Sequence, residues 1–488
     1  MKRVRRRQLM FEFADRPKGS DKPKRLISEQ KEWLLRISSI KETISLTARA
    51  NDSDRLLEKV TSSSNLAEAL LQVARKKGAA GVDGESVDEV VENARSILPK
   101  LQHELRKDTY RPGDIRRVWI PKPGGGQRGL GIPNVIDRWV QQAVLQMLQP
   151  YFEEGFHDSS HGFRPKRGAQ TAIAEAKKYV EQGYKTVVDI DLSKFFDRVN
   201  HQRLLNRLAQ RIKDGRILKL IHSMLKAKVV MPDGTKVSTN EGMPQGGPLS
   251  PLLSNVVLDE LDKELERRGH RFVRYADDFI IYVRSIRAGV RVMNSIRQFI
   301  ENRLRLKINE TKSSVRQSNQ VDFLGFRLIK CKDKVNIHLS KRSIKRINAR
   351  IRELTPRSWG QSLKACIEKV NQYLKGWEAY FGICTKRGAH IFKRFDAHIR
   401  RRLRAIIIKQ KRRARYLFRH LLSCGVPEKF AARCAYSRKG IWARSIFKGI
   451  NMAYPNDWFA KHLVSLAGLW RRRGPKPGPG VQLLLPLK

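Results

Sequence analysis

Arg271-Phe272-Val273-Arg274-Tyr275-Ala276-Asp277-Asp278-Phe279-Ile280-Ile281-Tyr282-Val283 sets two runs of β-branched and aromatic residues around a bare pair of aspartates. Such runs favour strands, so the stretch predicts a hairpin with the aspartates at its bend. Asp is a common turn residue because it bonds its own backbone, and that alone would account for one acid here. A tight hairpin, however, favours Gly or Asn at the bend, and neither is present. Two adjacent carboxylates at a strand junction repel each other, and burying them is costly unless a cation lies between them. The reading turns on whether the chain supplies a third carboxylate and a polyanionic substrate.

The third carboxylate comes from Lys185-Thr186-Val187-Val188-Asp189-Ile190-Asp191-Leu192-Ser193-Lys194-Phe195-Phe196-Asp197. Side chains alternate along a strand, so Asp189 and Asp191 are expected on one face. Buried acids without a basic neighbour need a metal or a shared proton. An exposed strand with solvated acids is the alternative, and the apolar flanks argue against it.

The polyanion is implied by charge. The 488 residues carry 100 Lys and Arg against 47 Asp and Glu, a net charge of +53 and a pI near 10.7. Charge of one sign on that scale opposes compaction, and nucleic acid is its natural counter-charge. An anionic membrane surface is the competing partner, but no clear basic amphipathic anchor or lipidation site is present. No apolar run approaches the roughly 20 residues that span a bilayer. The five cysteines, at 331, 366, 384, 424 and 434, are widely spaced and never in a C-x-x-C pair. They suggest a reducing compartment with no disulfide framework and no zinc module, and the expected location is cytoplasmic.

Along the chain, residues 1–60 read as a basic, mobile arm. Helical spacing begins at Asn65–Ala74 and leads into the glycine-punctuated Gly78–Gly84 and a helix over Val87–Lys107. Val118–Arg128 reads as a strand entering a Gly-rich hairpin tip that carries Lys122 and Arg128, a loop suited to anion contact or to plain solvation. Helices are expected over Asp137–Leu148 and Ala169–Glu181, and over His201–Leu225 with a break near Asp214-Gly215. A hairpin turning at Asp233-Gly234 follows, then the Gly- and Pro-dense loop Gly242–Pro251 and helices Leu252–Arg267 and Ala288–Leu304. A last strand is expected over Val321–Arg327.

Beyond residue 340 the composition shifts. Residues 341–488 hold 36 Lys and Arg and 6 Asp and Glu, a net of +30. Ile399–Arg413 is expected to form a helix with one apolar and one strongly basic side. Crowded arginines destabilise a helix unless phosphates neutralise them, so Arg400, Arg401, Arg404, Lys409 and Arg412 are candidate nucleic-acid contacts. The Gly- and Pro-rich tail over 474–488 is expected to be disordered.

Tyr275-Ala276-Asp277-Asp278 resembles the signature tetrad of reverse transcriptases, and its setting resembles the group II intron reverse transcriptase/maturase family. The resemblance runs in order from Asn65 to about Trp470. It takes in Gly78–Gly84, Ile120–Pro133 with Asp137-Arg138, Gly162-Phe163-Arg164-Pro165, Asp189–His201, Pro244-Gln245-Gly246, the tetrad, and Phe323-Leu324-Gly325-Phe326. Gly376-Trp377, Tyr380-Phe381, Ile399–Arg413 and Lys439-Gly440-Ile441-Trp442 resemble the family's thumb and maturase region. The resemblance implies an α+β right-hand polymerase, with fingers and an antiparallel palm sheet over 61–335. A helical thumb over 336–415 and a C-terminal nucleic-acid-binding region over 416–473 would follow.

It further implies an RNA-directed DNA polymerase that copies intron RNA by two-metal nucleotidyl transfer and binds that RNA to assist splicing and mobility. Two Mg²⁺ ions would sit on Asp191, Asp277 and Asp278, with Asp189 as the alternative to Asp191. Phe196 would press on the deoxyribose, Lys122 and Arg128 would clamp the triphosphate, and Gln245 would lie beside the primer–template. Lys312 would serve the leaving pyrophosphate, and Gly78–Gly84 would grip template RNA. Expected partners are intron RNA, an RNA template with DNA primer, dNTPs and a DNA target; a homodimer is left open. The sequence departs from many family members in having no paired cysteines or His-Asn-His pattern after Trp470, so target-strand cleavage is not expected. A domesticated splicing factor with a relict site and a host defence or repair polymerase are the competing readings.

Overall fold

The computed structural model describes residues 24–39, 55–122, 125–332, 334–358 and 360–473. The arm expected over 1–60, apart from Lys24–Ser39 and the residues from 55 on, and the tail expected over 474–488 lie outside the described residues. Among those described, the strands are β1 (Ile115–Pro121), β2 (Gln127–Ile132), β3 (Thr186–Ile190), β4 (Val229–Val230), β5 (Lys236–Val237), β6 (Arg271–Tyr275), β7 (Asp278–Val283), β8 (Ser314–Gln317), β9 (Phe326–Cys331) and β10 (Lys334–Leu339). Contacts divide the chain into two units that do not follow chain order: Met1–Glu154 with Val199–Leu253, and Gly155–Arg198 with Ser254–Lys488.

In the first unit the helix Ser63–Lys76 starts at Ser62, whose hydroxyl accepts the Asn65 amide, and it buries Leu66, Leu70 and Val73. It packs on the helix Val135–Glu153, where the fully buried Trp139 donates its indole N–H to the Leu66 carbonyl at 2.6 Å. The helix expected over Val87–Lys107 is two helices, Val87–Glu92 and Ala94–Arg106, divided at Asn93. Helices His201–Ala209 and Gly215–Leu225 break where Asp214 caps the second. The glycine loop is pinned to the start of the helix Val135–Glu153. Asn134 accepts the Val82 amide, Arg138 donates to the Ala79 carbonyl, and a Cβ at Gly81 would stand 2.1 Å from the Asn134 side chain. A four-stranded sheet in the order β2-β1-β4-β5 carries the exposed hairpin tip.

The second unit is built on an antiparallel sheet in the order β6-β7-β3-β8. Val187, Val188 and Ile190 of β3 are buried, and helices Ala169–Glu181 and Ile286–Gln298 pack against the sheet. The short edge strand β8 carries little apolar signal, which is why periodicity does not reveal it. The strand expected over Val321–Arg327 begins only at Phe326. Leu324 (φ 49°) and Gly325 (φ 82°) are both left-handed, and Phe323 and Phe326 exchange backbone hydrogen bonds, so Phe323–Phe326 is a tight turn. Two consecutive positive φ values are the geometry of a type I′ turn. One hydrophobic core joins the palm-like sheet to the helices beyond it, running from Val187, Val273 and Ile280 through Phe326 and Trp377 to Phe392 and Phe459. The basic helix is longer than expected, Lys386–Gln410, and its end enters a smaller core with Leu417, Leu421 and Ile450.

Candidate active site

The hairpin forms, with its bend one residue earlier than the sequence implies. Tyr275 pairs with Asp278, so Ala276 and Asp277 make the turn and Asp278 opens β7. Ala276 supplies the left-handed residue, with φ 58°, that Gly or Asn would usually provide. Asp277 is half-buried and Asp278 exposed.

Asp191 stands at the same end of the sheet. It follows Ile190, which pairs with Phe279, and Phe279 in turn follows Asp278. Its backbone is fixed by the neighbouring loop: its amide donates to Ser313 Oγ (3.1 Å) and its carbonyl accepts the Asn309 amide (2.8 Å). Lys312, an exposed side chain on that loop, brings Nζ to 3.5 Å from Asp191 Oδ2. Asp189 lies two residues deeper, opposite Ile280 and Ser314. Burial pushes its carboxyl up to about 6, Arg316 opposes the shift and Asp191 adds to it.

The donors Asp191, Asp277 and Asp278 are all carboxylate oxygens, which suits a hard divalent cation. Mg²⁺ in particular completes its shell with waters and substrate phosphates rather than a closed protein cage. Among the described residues, no three His, Cys, Asp or Glu side chains are gathered tightly enough to hold a metal by themselves.

After Lys194 (φ 50°), Phe195–Asp197 forms a 3₁₀ turn in which Phe195 is buried and Phe196 half-exposed, their rings edge to face at 5.2 Å. In the first unit, Lys122 and Arg128 are exposed on the β1–β2 hairpin, with Arg128 opposite Ile120. Gln245 is half-buried in its loop, its carbonyl accepting the Gly131 amide at 2.8 Å. A Cβ at Gly246 would stand 2.3 Å from the Gly131 carbonyl oxygen, so the Gln245 loop lies directly on β2.

Two of the five candidate RNA contacts are taken up by the fold. Arg404 is only 8% exposed, donates twice to the Tyr454 carbonyl (3.0 and 2.8 Å) and lies over the Phe459 ring. Burial lowers its pKa to about 10. Arg401 lies 3.9 Å from the Trp442 ring centre and donates to the Trp442 carbonyl. The expectation of phosphate contact at Arg404 is corrected: the side chain is an internal brace. Arg400 is half-exposed, and Lys409 and Arg412 are exposed, near Arg413, Arg415 and the 60%-exposed Tyr416, over which Lys411 sits.

Arg274, one residue before the tetrad, is a part of the site that the aspartates alone do not point to. Arg274 is fully buried, as is Asp262 on the helix Ser250–Arg267, and the two form a bidentate ion pair with contacts of 2.5–3.0 Å. The only sequence signal was an arginine at an inward position of a strand.

Residues 120–328 match the family described as reverse transcriptase (RNA-dependent DNA polymerase), and residues 344–425 match the group II intron maturase-specific domain. The chain is 34% identical over 359 residues to Protein YkfC of Escherichia coli K12, covering 65% of this chain and 92% of that protein. It is 30% identical over 295 residues to the group II intron-encoded protein LtrA of Lactococcus lactis, covering 47% of this chain and 49% of that one. Among solved structures, a partial Cas6-RT-Cas1–Cas2 complex matches at 26% identity and a TM-score of 0.33, covering 50% of this chain and 42% of that chain. The chain belongs to the group II intron reverse transcriptase/maturase family, whose fold is that of RNA-directed DNA polymerases. The family's polymerases depend on divalent metal, and its maturase domain binds RNA. No helix among the described residues is long and apolar enough to cross a membrane.

The two classes of arginine separate in a stability measurement. Arg404→Ala is expected to lower unfolding free energy in urea by about 2 kcal/mol, since it strands a buried carbonyl. Lys409→Ala and Arg412→Ala should each change it by less than about 0.5 kcal/mol.

Proposed function

We propose that this protein copies intron RNA into DNA and binds the same RNA to assist its splicing and mobility. The observation that supports the proposal is the strand register, which sets Asp277, Asp278 and Asp191 at the same end of the second unit's sheet. Two Mg²⁺ ions held there would activate the primer 3′-hydroxyl and neutralise the departing pyrophosphate. Asp191 rather than Asp189 is the proposed ligand, because Asp191 follows the last paired residue of β3 at the end that carries Asp278, whereas Asp189 lies two residues back, opposite Ile280 and Ser314. Lys312, whose Nζ lies 3.5 Å from Asp191 Oδ2, is the proposed proton donor to the leaving pyrophosphate. Phe196, the accessible member of its pair, is the proposed gate against a 2′-hydroxyl. Lys122 and Arg128 supply cations for nucleotide phosphates, and Gln245 faces the primer–template. Arg400, Lys409 and Arg412 remain the proposed RNA contacts. A DNA target is the expected acceptor for mobility.

Purified protein with Mg²⁺ should extend a DNA primer on an RNA template, and Asp277→Ala or Asp191→Asn should reduce this at least about 10³-fold with RNA binding nearly unchanged. Equal loss of extension and RNA binding would make the acidic turn structural. With ribonucleotides as substrates, Phe196→Ala should raise incorporation while Phe195→Ala mainly lowers stability; the reverse pattern exchanges their roles. For RNA binding, the Lys409→Ala/Arg412→Ala double variant should flatten the slope of log affinity against log salt by about 1–2. An unchanged slope would move the RNA site elsewhere.

A further inference from the structure

The acidic turn is held from behind by a buried polar network. Arg274 Nη1 donates to the Ala276 carbonyl (3.1 Å), the left-handed residue of the turn, and to Asn255 Oδ1 (2.9 Å). Asn255, itself 1% exposed, donates from Nδ2 to the Gly162 carbonyl (2.9 Å). Gly162 lies directly on the turn: a Cβ there would stand 2.2 Å from the Ala276 nitrogen and 2.9 Å from the Tyr275 carbonyl carbon.

The segment carrying Gly162 is not free to give way. Ser159 and His161 flank a parallel bridge to β6: the Arg274 amide donates to the Ser159 carbonyl, and the His161 amide donates to the Arg274 carbonyl, each at 2.8 Å. The His161 ring is fixed by Thr171 (2.8 Å) and Glu175 (2.6 Å) on the helix Ala169–Glu181. Arg164 closes the segment by donating to the His157 and Ser160 carbonyls.

We infer that Arg274, Asn255 and Gly162 are positioning residues that fix the backbone of the Ala276–Asp277 turn and so set how Asp277 and Asp278 are presented to a divalent cation. Arg274 holds the turn by its carbonyl. Gly162 lets the 159–164 segment press against its nitrogen. Asn255 links the two, and Asp262 holds the guanidinium in place through its bidentate ion pair. The inference rests on the metal-binding reading of the carboxylates given above, and the test separates the two.

The test measures Mn²⁺ binding to the full-length protein by the electron paramagnetic resonance of free Mn²⁺, well below each variant's unfolding temperature. Gly162→Ala and Asn255→Ala are each expected to weaken Mn²⁺ binding about tenfold, as loss of an outer-sphere support commonly does. Leu417→Ala, a packing change in the separate smaller core, controls for lost stability and should leave Mn²⁺ binding unchanged. If both positioning variants bind Mn²⁺ like the unaltered protein while Asp277→Ala abolishes binding, the positioning role is overturned and the metal reading stands. If Asp277→Ala leaves binding unchanged, or the unaltered protein shows no saturable binding, the metal reading fails and this inference with it. Gly162→Ala removes no hydrogen-bonding group, so it remains informative even if Asn255→Ala does not fold.

Discussion

The buried ion pair between Arg274 and Asp262 is the constraint on which the acidic end of the sheet depends. Both side chains are withdrawn from water, and removing one partner of such a pair costs about 3–5 kcal/mol because the other charge is left uncompensated. The pair ties β6, an edge strand, to the helix Ser250–Arg267. It also leaves one guanidinium nitrogen aimed at the turn that carries the aspartates. A strand edge is ordinarily free to fray or slip. Here the edge is covered by the 159–161 segment and anchored from within, so two carboxylates can be held in a turn whose local geometry is unfavourable for an alanine.

The large positive charge of the C-terminal third has a double use. Arg402, Arg404 and Arg444 each donate to carbonyls at helix C-termini: Thr355, Tyr454, and Cys434 with Ala435. Carbonyls there have no intrahelical partner and stand at the negative end of the helix dipole, so a cation satisfies both demands. A protein with few acids in this region can brace its helices with arginine against backbone rather than against carboxylate. Other cations of this region, Lys393, Arg394, Lys409 and Arg412 among them, stay exposed.

Much of this was legible in the sequence, and the exceptions share a cause. Amphipathic spacing located the helices Ser63–Lys76 and Ala169–Glu181, and alternating β-branched runs located β3, β6 and β7, because burial on one face imposes those periods. The carboxylates at 191, 277 and 278 stood out because acids are costly in such runs. What the sequence did not reveal were features set by tertiary contact. Leu324 takes a left-handed conformation although a branched side chain disfavours it, since its turn is docked by bonds from Tyr380 to the Leu324 carbonyl and from Ser343 to the Gly325 carbonyl. Arg404 and Arg412 are the same residue type eight positions apart, and only the packing of Tyr454 and Phe459 makes one of them internal. Gly162 read as a motif glycine; its reason, contact with the Ala276 backbone, lies more than a hundred residues away.

The central claim is that Asp277, Asp278 and Asp191 form one divalent-cation site at the end of the sheet. The most direct measurement is the anomalous scattering of Mn²⁺ in crystals of the protein with an RNA template, a chain-terminated DNA primer and the next dNTP. The account predicts anomalous density bonded to carboxylate oxygens of Asp191, Asp277 and Asp278, with Asp189 outside the coordination sphere. Density bonded to Asp189 in place of Asp191, or none at the Ala276–Asp277 turn, would contradict it.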